Sequence, residues 1–248
     1  MPPTGRMTLE EVVGAVQPLR VGGSFPVRTP IGAVSTDSRD IAPGGLFVAL
    51  PGEQVAGAGF VEEAFRKGAL AVFVSEEGAR KVPAEILSGK PVFIVRNPVE
   101  ALGDLACAHR RRLGRIPLVG VTGSSGKTST KEMLAGLLSR GRTVLRNPGN
   151  RNNLIGMPLA LLELSEEHDA AVMEMGTNQP GEIARLAAIA APDVGIINNI
   201  APAHLKGLGS LEGVAREKGD LFRALPDSGT AVVNATDLRV VREAGRCR

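Results

Sequence analysis

The sequence predicts an α/β protein in two parts: a small mixed α/β domain, then a P-loop domain built on a doubly wound, mostly parallel sheet. Three observations predict it. In the first part, short apolar runs alternate with turns, and from Leu118 onward continuous apolar segments recur at roughly 25-residue spacing with helical patterns between them, as strands buried on both faces do. Where the parts meet lies LVGVTGSSGKTST, Leu118 to Thr130, an apolar strand running into a glycine-rich loop and then a helix. That arrangement holds the phosphates of a nucleoside triphosphate.

From the N-terminus, Thr8 and Glu11 form a capping box ahead of a short helix. Strands are expected in IGAVS from Ile31, LFVAL from Leu46, LAVFV from Leu70 and PVFIV from Pro91. A helix from about Val99 to Arg112 ends in a basic run, Arg110, Arg111, Arg112 and Arg115, which reads as a solvated helix end, and Gly114 stops it. The domain boundary is placed near Leu113, giving domains over 1–113 and 114–248. Beyond it the strands are the one entering the loop, then Thr143 to Leu145, Ala170 to Met175, Val194 to Asn198 and Thr230 to Val233.

The loop has a division of labour. Gly123 and Gly126 let the backbone turn back and aim its N–H groups inward, Lys127 can bridge the terminal phosphates, and the Thr128 hydroxyl is placed for a magnesium ion. Ser124, Ser125 and Ser129 complete the cofactor-binding segment. The strict pattern G-x-x-x-x-G-K-[ST] has its first glycine where this chain has Val121, so the match is to a variant, T-G-S-S-G-K-T. Context supports it: Ile116, Leu118, Val119 and Val121 are apolar before the loop, and Lys131, Met133, Leu134, Leu137 and Leu138 continue at helical spacing after it.

In a doubly wound sheet, ligands collect beyond the carboxyl ends of the strands. Glu174 lies there at the end of the apolar run AAVMEMG, where a carboxylate is costly unless something pairs with it, as a metal ion would. His204 follows VGIINNI in APAHLKGLGS, and a lone loop histidine is more often a surface residue than a ligand. Lys218 sits on the helix of SLEGVAREKGDLF, where Glu212 and Arg216 form an i, i+4 pair and the plain expectation for Lys218 is a solvated charge. Asn147, Asn150, Asn152 and Asn153 precede a helix starting near Gly156; such amides either cap the helix or hold phosphate oxygens, with capping the default and Asn153 the candidate for the cofactor.

Composition narrows the classes. The chain has 248 residues, 43% hydrophobic and 22% charged, enough for two folded domains. A net charge of +3 is spread along the chain, and with no Trp, no Tyr and seven Phe there is no supply of stacking aromatics, which argues against nucleic acid. Cys107 and Cys247 are too far apart in sequence to suggest a disulfide framework or a zinc cluster. No apolar run approaches the roughly 18 residues of a membrane span, and MPPTGRMTLEE lacks a signal-peptide core. A cytoplasmic monomer is expected.

Taken in order, TGSSGKTSTKEM, NPGNRNNLIGMPL, EMGTNQPGEI and NNIAPAHLKGLGSLEGVAREKGDLF resemble the ATP-dependent Mur ligases, over residues 116 to 223. STDSRDIAPGGLFVALPGE is similar to that family's uridine-nucleotide-binding domain, with Ser38 and Arg39 in its D-S-R motif as substrate-binding residues. The resemblance implies ATP and Mg2+ as cofactors, Lys127 on the β and γ phosphates, and Thr128 and Glu174 on the first magnesium. It implies that His204 is a second-metal ligand and Lys218 a lysine carbamylated to carry negative charge, with Lys127, His204 and Lys218 as the catalytic group. Within the family, the EMG segment points to the member that joins D-alanyl-D-alanine to UDP-N-acetylmuramoyl-tripeptide through an acyl phosphate in peptidoglycan precursor synthesis. The sister that adds the third residue typically carries an EVSSH-like segment there.

The resemblance has two departures. Where the family often has D-[GA]-H, this chain has Ala56, Gly57 and Ala58, so an acidic and an imidazole group are replaced. Family members also continue through the rest of the central domain and a third domain for the incoming amine, whereas this sequence reaches Arg248 shortly after VVNATD. The expectation is a truncated ligase that binds ATP and the UDP-sugar peptide without completing the amide alone. A non-catalytic precursor-binding remnant and a diamino-acid-adding Mur ligase are the alternatives, and a general P-loop kinase or GTPase is weaker because no N-K-x-D segment is present.

Overall fold

The computed structural model describes residues 7–52 and 57–246, and the chain divides into two compact units, Met1–His109 and Arg110–Arg248. The division falls inside a helix, close to Leu113. Ala56 and Cys247 lie outside the described residues.

In the first unit, α1 (Leu9–Val16) starts at the capping box: Glu11 N–H donates to Thr8 Oγ1 at 3.3 Å and Thr8 N–H donates to Glu11 Oε2 at 2.6 Å. Then follow β1 (Arg20–Gly22), β2 (Val34–Ser35), β3 (Leu46–Val48), α2 (Val61–Arg66), β4 (Ala71–Ser75), α3 (Glu76–Ala79), α4 (Ala84–Gly89), β5 (Val92–Val95) and α5 (Pro98–Arg112), the last crossing the division. The strands form one sheet in the order β1-β5-β4-β3-β2, parallel except for the antiparallel pair β1–β5. Every residue of β3 and β5 is buried, as continuous apolar runs require, and Phe93 stacks edge-on against Phe25 with ring centres 5.4 Å apart. IGAVS contributes only the two residues of β2. β1 is an edge strand of three residues, RVG, too short and too polar to carry a periodic signal.

The second unit contains β6 (Leu118–Thr122), α6 (Lys127–Leu138), β7 (Val144–Arg146), α7 (Gly156–Leu161), β8 (Ala170–Glu174), α8 (Glu182–Ala190), β9 (Val194–Ile197), α9 (Leu205–Leu208), α10 (Leu211–Arg223), β10 (Thr230–Val233) and α11 (Leu238–Gly245). Its sheet is parallel throughout, in the order β10-β9-β6-β8-β7. Val119 and Val121 on β6 pack toward α6, while Gly120 between them faces Leu221 of α10, so these helices cover opposite faces. The chain therefore leaves the neighbouring strands β6 and β9 in opposite directions, which opens a crevice at their carboxyl ends.

Glycine on both central strands lets α10 approach closely. A Cβ on Gly120 would lie 3.0 Å from Leu221 Cδ1, and one on Gly195 would lie 3.2 Å from Leu221 Cγ. This seat fixes the height of α10 over the sheet, and with it the position of Lys218.

Three sequence expectations are corrected. On α6, Met133 and Leu137 are 69% and 56% exposed, whereas Lys131 and Ala135 are buried with Leu134 and Leu138 beside them. The helix is turned to bury a lysine, because carboxylates and carbonyls wait for its ammonium at the sheet end. Arg110 is buried, not solvated: its Nε donates to Ala190 O at 2.8 Å and its Nη2 to Ala191 O at 3.3 Å, at the negative end of α8. Glu212 pairs with Arg242 of α11 at 3.4 Å rather than with Arg216.

Replacing Gly195 by Val forces α10 away from the sheet. We expect a loss of about 1–3 kcal/mol in chemical denaturation; an unchanged midpoint would show that the helix does not depend on this seat.

Candidate active site

β6 delivers the loop directly. Val121 is still within the buried strand, which is why no glycine is needed there, and Thr122 Oγ1 donates to Met175 O at 2.8 Å, joining the ends of β6 and β8. Gly126 then adopts φ 75°, a left-handed conformation that side chains resist, as the N-cap of α6. No side chain caps this twelve-residue helix, so the N–H groups of its first turn point out as an anion site. Lys127 Nζ donates to Gly123 O at 2.9 Å, across the mouth of the loop.

The serines of the loop face a different partner. Ser124 N–H donates to Asn199 O and Ser125 N–H to Asn199 Oδ1, both at 3.0 Å, and Ser124 Oγ donates to Ala201 O at 2.8 Å. Asn198 Nδ2 donates to Thr130 Oγ1 at 2.9 Å. The segment after β9 thus buttresses Ser124 and Ser125 from outside, while the turn around Gly126, Lys127, Thr128 and the exposed Ser129 opens α6.

Glu174 ends β8 as a carboxylate only 1% exposed. Thr128 Oγ1 donates to its Oε2 at 2.8 Å and Asn152 Nδ2 to its Oε1 at 2.7 Å. Asn147 acts as a further rung of the sheet: it accepts from Glu174 N–H at 2.9 Å and donates to Glu174 O at 3.0 Å. Of the asparagine cluster, then, Asn147 and Asn152 serve Glu174, while the exposed Asn153 caps α7 through Ile155 N–H at 3.1 Å and Gly156 N–H at 2.8 Å. The oxygens of Thr128 and Glu174 suit a small hard cation that completes its shell with phosphate and water.

Lys218 is 1% exposed, and among the described residues its ammonium has no hydrogen bond or ion pair. Burial first, then the nearby charge of Lys127, push its pKa down to about 8, against the opposing effect of Glu217. Glu217 itself is buried at the start of α8, accepting from Gly181 N–H at 2.7 Å, Ile183 N–H at 2.8 Å and Thr177 Oγ1 at 3.0 Å. It ties α10 to the loop that follows Glu174. His204 is exposed, with φ 52°, as the N-cap of α9, and among the described residues no three His, Cys, Asp or Glu side chains gather around a common point.

In the first unit, a cleft of about 600 Å3 is lined by Thr36, Ser38, Arg39, Leu50, Phe60 and Glu63, among others. Ser38 Oγ donates to Glu63 Oε2 at 3.0 Å. Arg39 folds back on Asp37, with Nη2 to Oδ2 at 2.6 Å, and its hydrogen bonds hold the Asp37 carboxyl at about 2. Gly57 lines the same cleft, and Ala58 is buried beside it.

Sequence reasoning missed Lys131, Asn198, Asn199 and Glu63. A lysine inside an otherwise sheet-facing helical stripe was the available sign for the first; Asn198 and Asn199 stood beyond a strand end, where the crevice rule points.

Known proteins match this chain in sequence and in fold. A family model described as the Mur ligase middle domain matches residues 121–246, and one described as the Mur ligase family, catalytic domain, matches residues 30–110. The UDP-N-acetylmuramoyl-tripeptide--D-alanyl-D-alanine ligase of Escherichia coli (strain K12) is 45% identical over 203 residues, which is 82% of this chain and 43% of that protein. A crystal structure of MurF from Acinetobacter baumannii superposes with a TM-score of 0.85 at 34% identity, covering 98% of this chain and 52% of the other. The MurF ligase of Thermotoga maritima in complex with ADP gives 0.76 at 35% identity, covering 87% and 48%. The chain thus spans about half the length of the relatives it matches. With the middle-domain match running from the P-loop strand through α11, the chain belongs to the Mur ligase family.

Proposed function

We propose that this chain supplies the uridine-nucleotide-binding and ATP-binding parts of an ATP-dependent amide ligase that joins D-alanyl-D-alanine to UDP-N-acetylmuramoyl-tripeptide in peptidoglycan precursor synthesis, in the cytoplasm. The observation that carries this is the Thr128–Glu174 pair, 2.8 Å apart beside an uncapped helix N-terminus with Lys127 across the mouth. The D-alanyl-D-alanine step is supported by relatives bearing that activity in their names, including those of Escherichia coli and Bacillus subtilis.

In this scheme a carboxylate oxygen of the tripeptide attacks the γ-phosphorus; the new P–O bond forms as the bridging P–O bond to ADP breaks. The dipeptide amine then attacks the acyl carbon, the C–N bond forms, the C–O bond to phosphate breaks, and the amine loses its extra proton to solvent. Lys127 releases Gly123 O to meet the β and γ oxygens, and the first-turn N–H groups of α6 hold the phosphate chain. Thr128 and Glu174 would hold Mg2+, which neutralises phosphoryl charge when bound. Lys218, with its side chain buried and its pKa lowered to about 8, gives up its proton more readily than an ordinary lysine and is suited to carbamylation, and the carbamate would turn a repelling neighbour of Lys127 into an attracting one. His204 is assigned to a second metal, on the motif alone. Ser38 and Arg39 are assigned to the uridine nucleotide, with Phe60 and Leu50 as the apolar wall of its cleft.

Titration calorimetry of the chain with ATP and Mg2+ tests this. Binding is expected, and Lys127→Ala should weaken it by roughly 1.5–3 kcal/mol, the value of a hydrogen bond to a charged group; equal affinity of the variant, or preference for GTP, would contradict the assignment. Lys218 gives a second test. The folded chain releases this proton near 8 and the unfolded chain near the ordinary 10.5, so the folded state binds fewer protons in between and stability rises with pH across that window. Denaturation across this range should reveal the rise in the unmodified protein and not in Lys218→Met; identical slopes would contradict the burial argument.

A further inference from the structure

Lys131 is a fully buried ammonium one helical turn beyond the phosphate-binding lysine, and nothing in the scheme above uses it. Its Nζ donates to Asn147 O at 2.7 Å and Gly149 O at 3.0 Å, pairs with Glu132 Oε1 at 3.1 Å, and lies 3.8 Å from Glu174 Oε2. All of these partners belong to one local arrangement. Asn147 brackets the Glu174 backbone, and Asn152, a few residues further along the same segment, holds the other carboxylate oxygen. The carbonyls that Lys131 ties down are therefore those of the turn that grips Glu174.

We infer that Lys131 is the positioning residue of the cation site: it fixes the Asn147–Asn152 turn and aims the Glu174 carboxylate at Thr128. A lysine suits this role better than an arginine. Its compact ammonium has three donors, enough for two carbonyls and a carboxylate within one turn, where a planar guanidinium needs more room. Glu132 is the nearer carboxylate and balances the lysine's charge, so Lys131 contributes position and little net repulsion toward a cation. Burying such a charge is costly, and the surrounding acceptors are what make it tolerable. Glu174 for its part is held from both sides: Thr128 and Lys131 on Oε2, Asn152 on Oε1. A carboxylate fixed in this way does not have to reorganise when a cation arrives.

This inference rests on Glu174 being a cation ligand, and the experiment separates the two claims. ATP affinity of the full chain is measured by calorimetry with excess Mg2+ and again with EDTA, and the ratio is the Mg2+-dependent increment. If the unmodified chain has no increment, the ligand assignment fails. Given an increment, Lys131→Met is expected to reduce it roughly 10–100-fold, as loss of an orienting partner does, while affinity in EDTA stays close to that of the unmodified chain. A folded Lys131→Met with a full increment, even if less stable, would mean that Lys131 is only a structural tether and would overturn the inference. Asn152→Ala, which alters a half-buried side chain, carries the test if Lys131→Met does not fold: a reduced increment supports positioning by this turn, and an unchanged one overturns it.

Discussion

A buried carboxylate organises the second unit. Glu174 stands at the end of the strand next to β6, withdrawn from water, where an isolated negative charge would be far too costly to keep. Its surroundings answer that cost group by group: a hydroxyl from the helix after the phosphate loop, an amide from the asparagine turn, an ammonium from the buried face of α6, and a second amide on its backbone. Three elements far apart in sequence are thereby drawn to one strand end. The need to satisfy this one group sets the rotation of α6, the path of the chain after β7 and the position of Thr128.

The other half of the site is set by packing. Gly120 and Gly195 let Leu221 sink between the two central strands, which places α10 low over the sheet and holds Lys218 out of solvent. Glu217, its neighbour, caps the start of α8 and so joins α10 to the loop leaving Glu174. The segment after β9 meanwhile takes up the N–H groups of Ser124 and Ser125. The glycine-rich loop is therefore held from outside by polar contacts while its inner turn carries the uncapped N–H groups of α6, the preorganisation that the proposed phosphoryl transfer would draw on.

Much of this was legible in the sequence because it rests on short-range rules. The parallel sheet followed from long apolar strands, the loop from glycines and a lysine at fixed offsets, and the place of Glu174 from a single charge at the end of an apolar run. What escaped depended on long-range partners. Lys131 looked like one more member of a helical stripe, and only the three-dimensional convergence of Glu174, Glu132 and the carbonyls of the asparagine turn explains its burial. Arg110 was hidden in a basic run whose other members are exposed, because, besides Leu113 O close by, its acceptors lie some eighty residues away in the chain, at the end of α8. The capping role of Asn153 was the local default, whereas the service of Asn147 and Asn152 to Glu174 required the pairing of β7 with β8 to bring them together.

In the proposed function the cluster around Glu174 receives a cation, which sets it apart from a purely structural ion network. Thermal unfolding of Glu174→Gln, a change of nearly equal shape that removes the charge and exchanges one acceptor oxygen for a donor NH2, tests this. ATP alone is expected to stabilise the variant and the unmodified chain alike, and added Mg2+ to raise the midpoint further only in the unmodified chain. An equal Mg2+-dependent rise in the variant would contradict it.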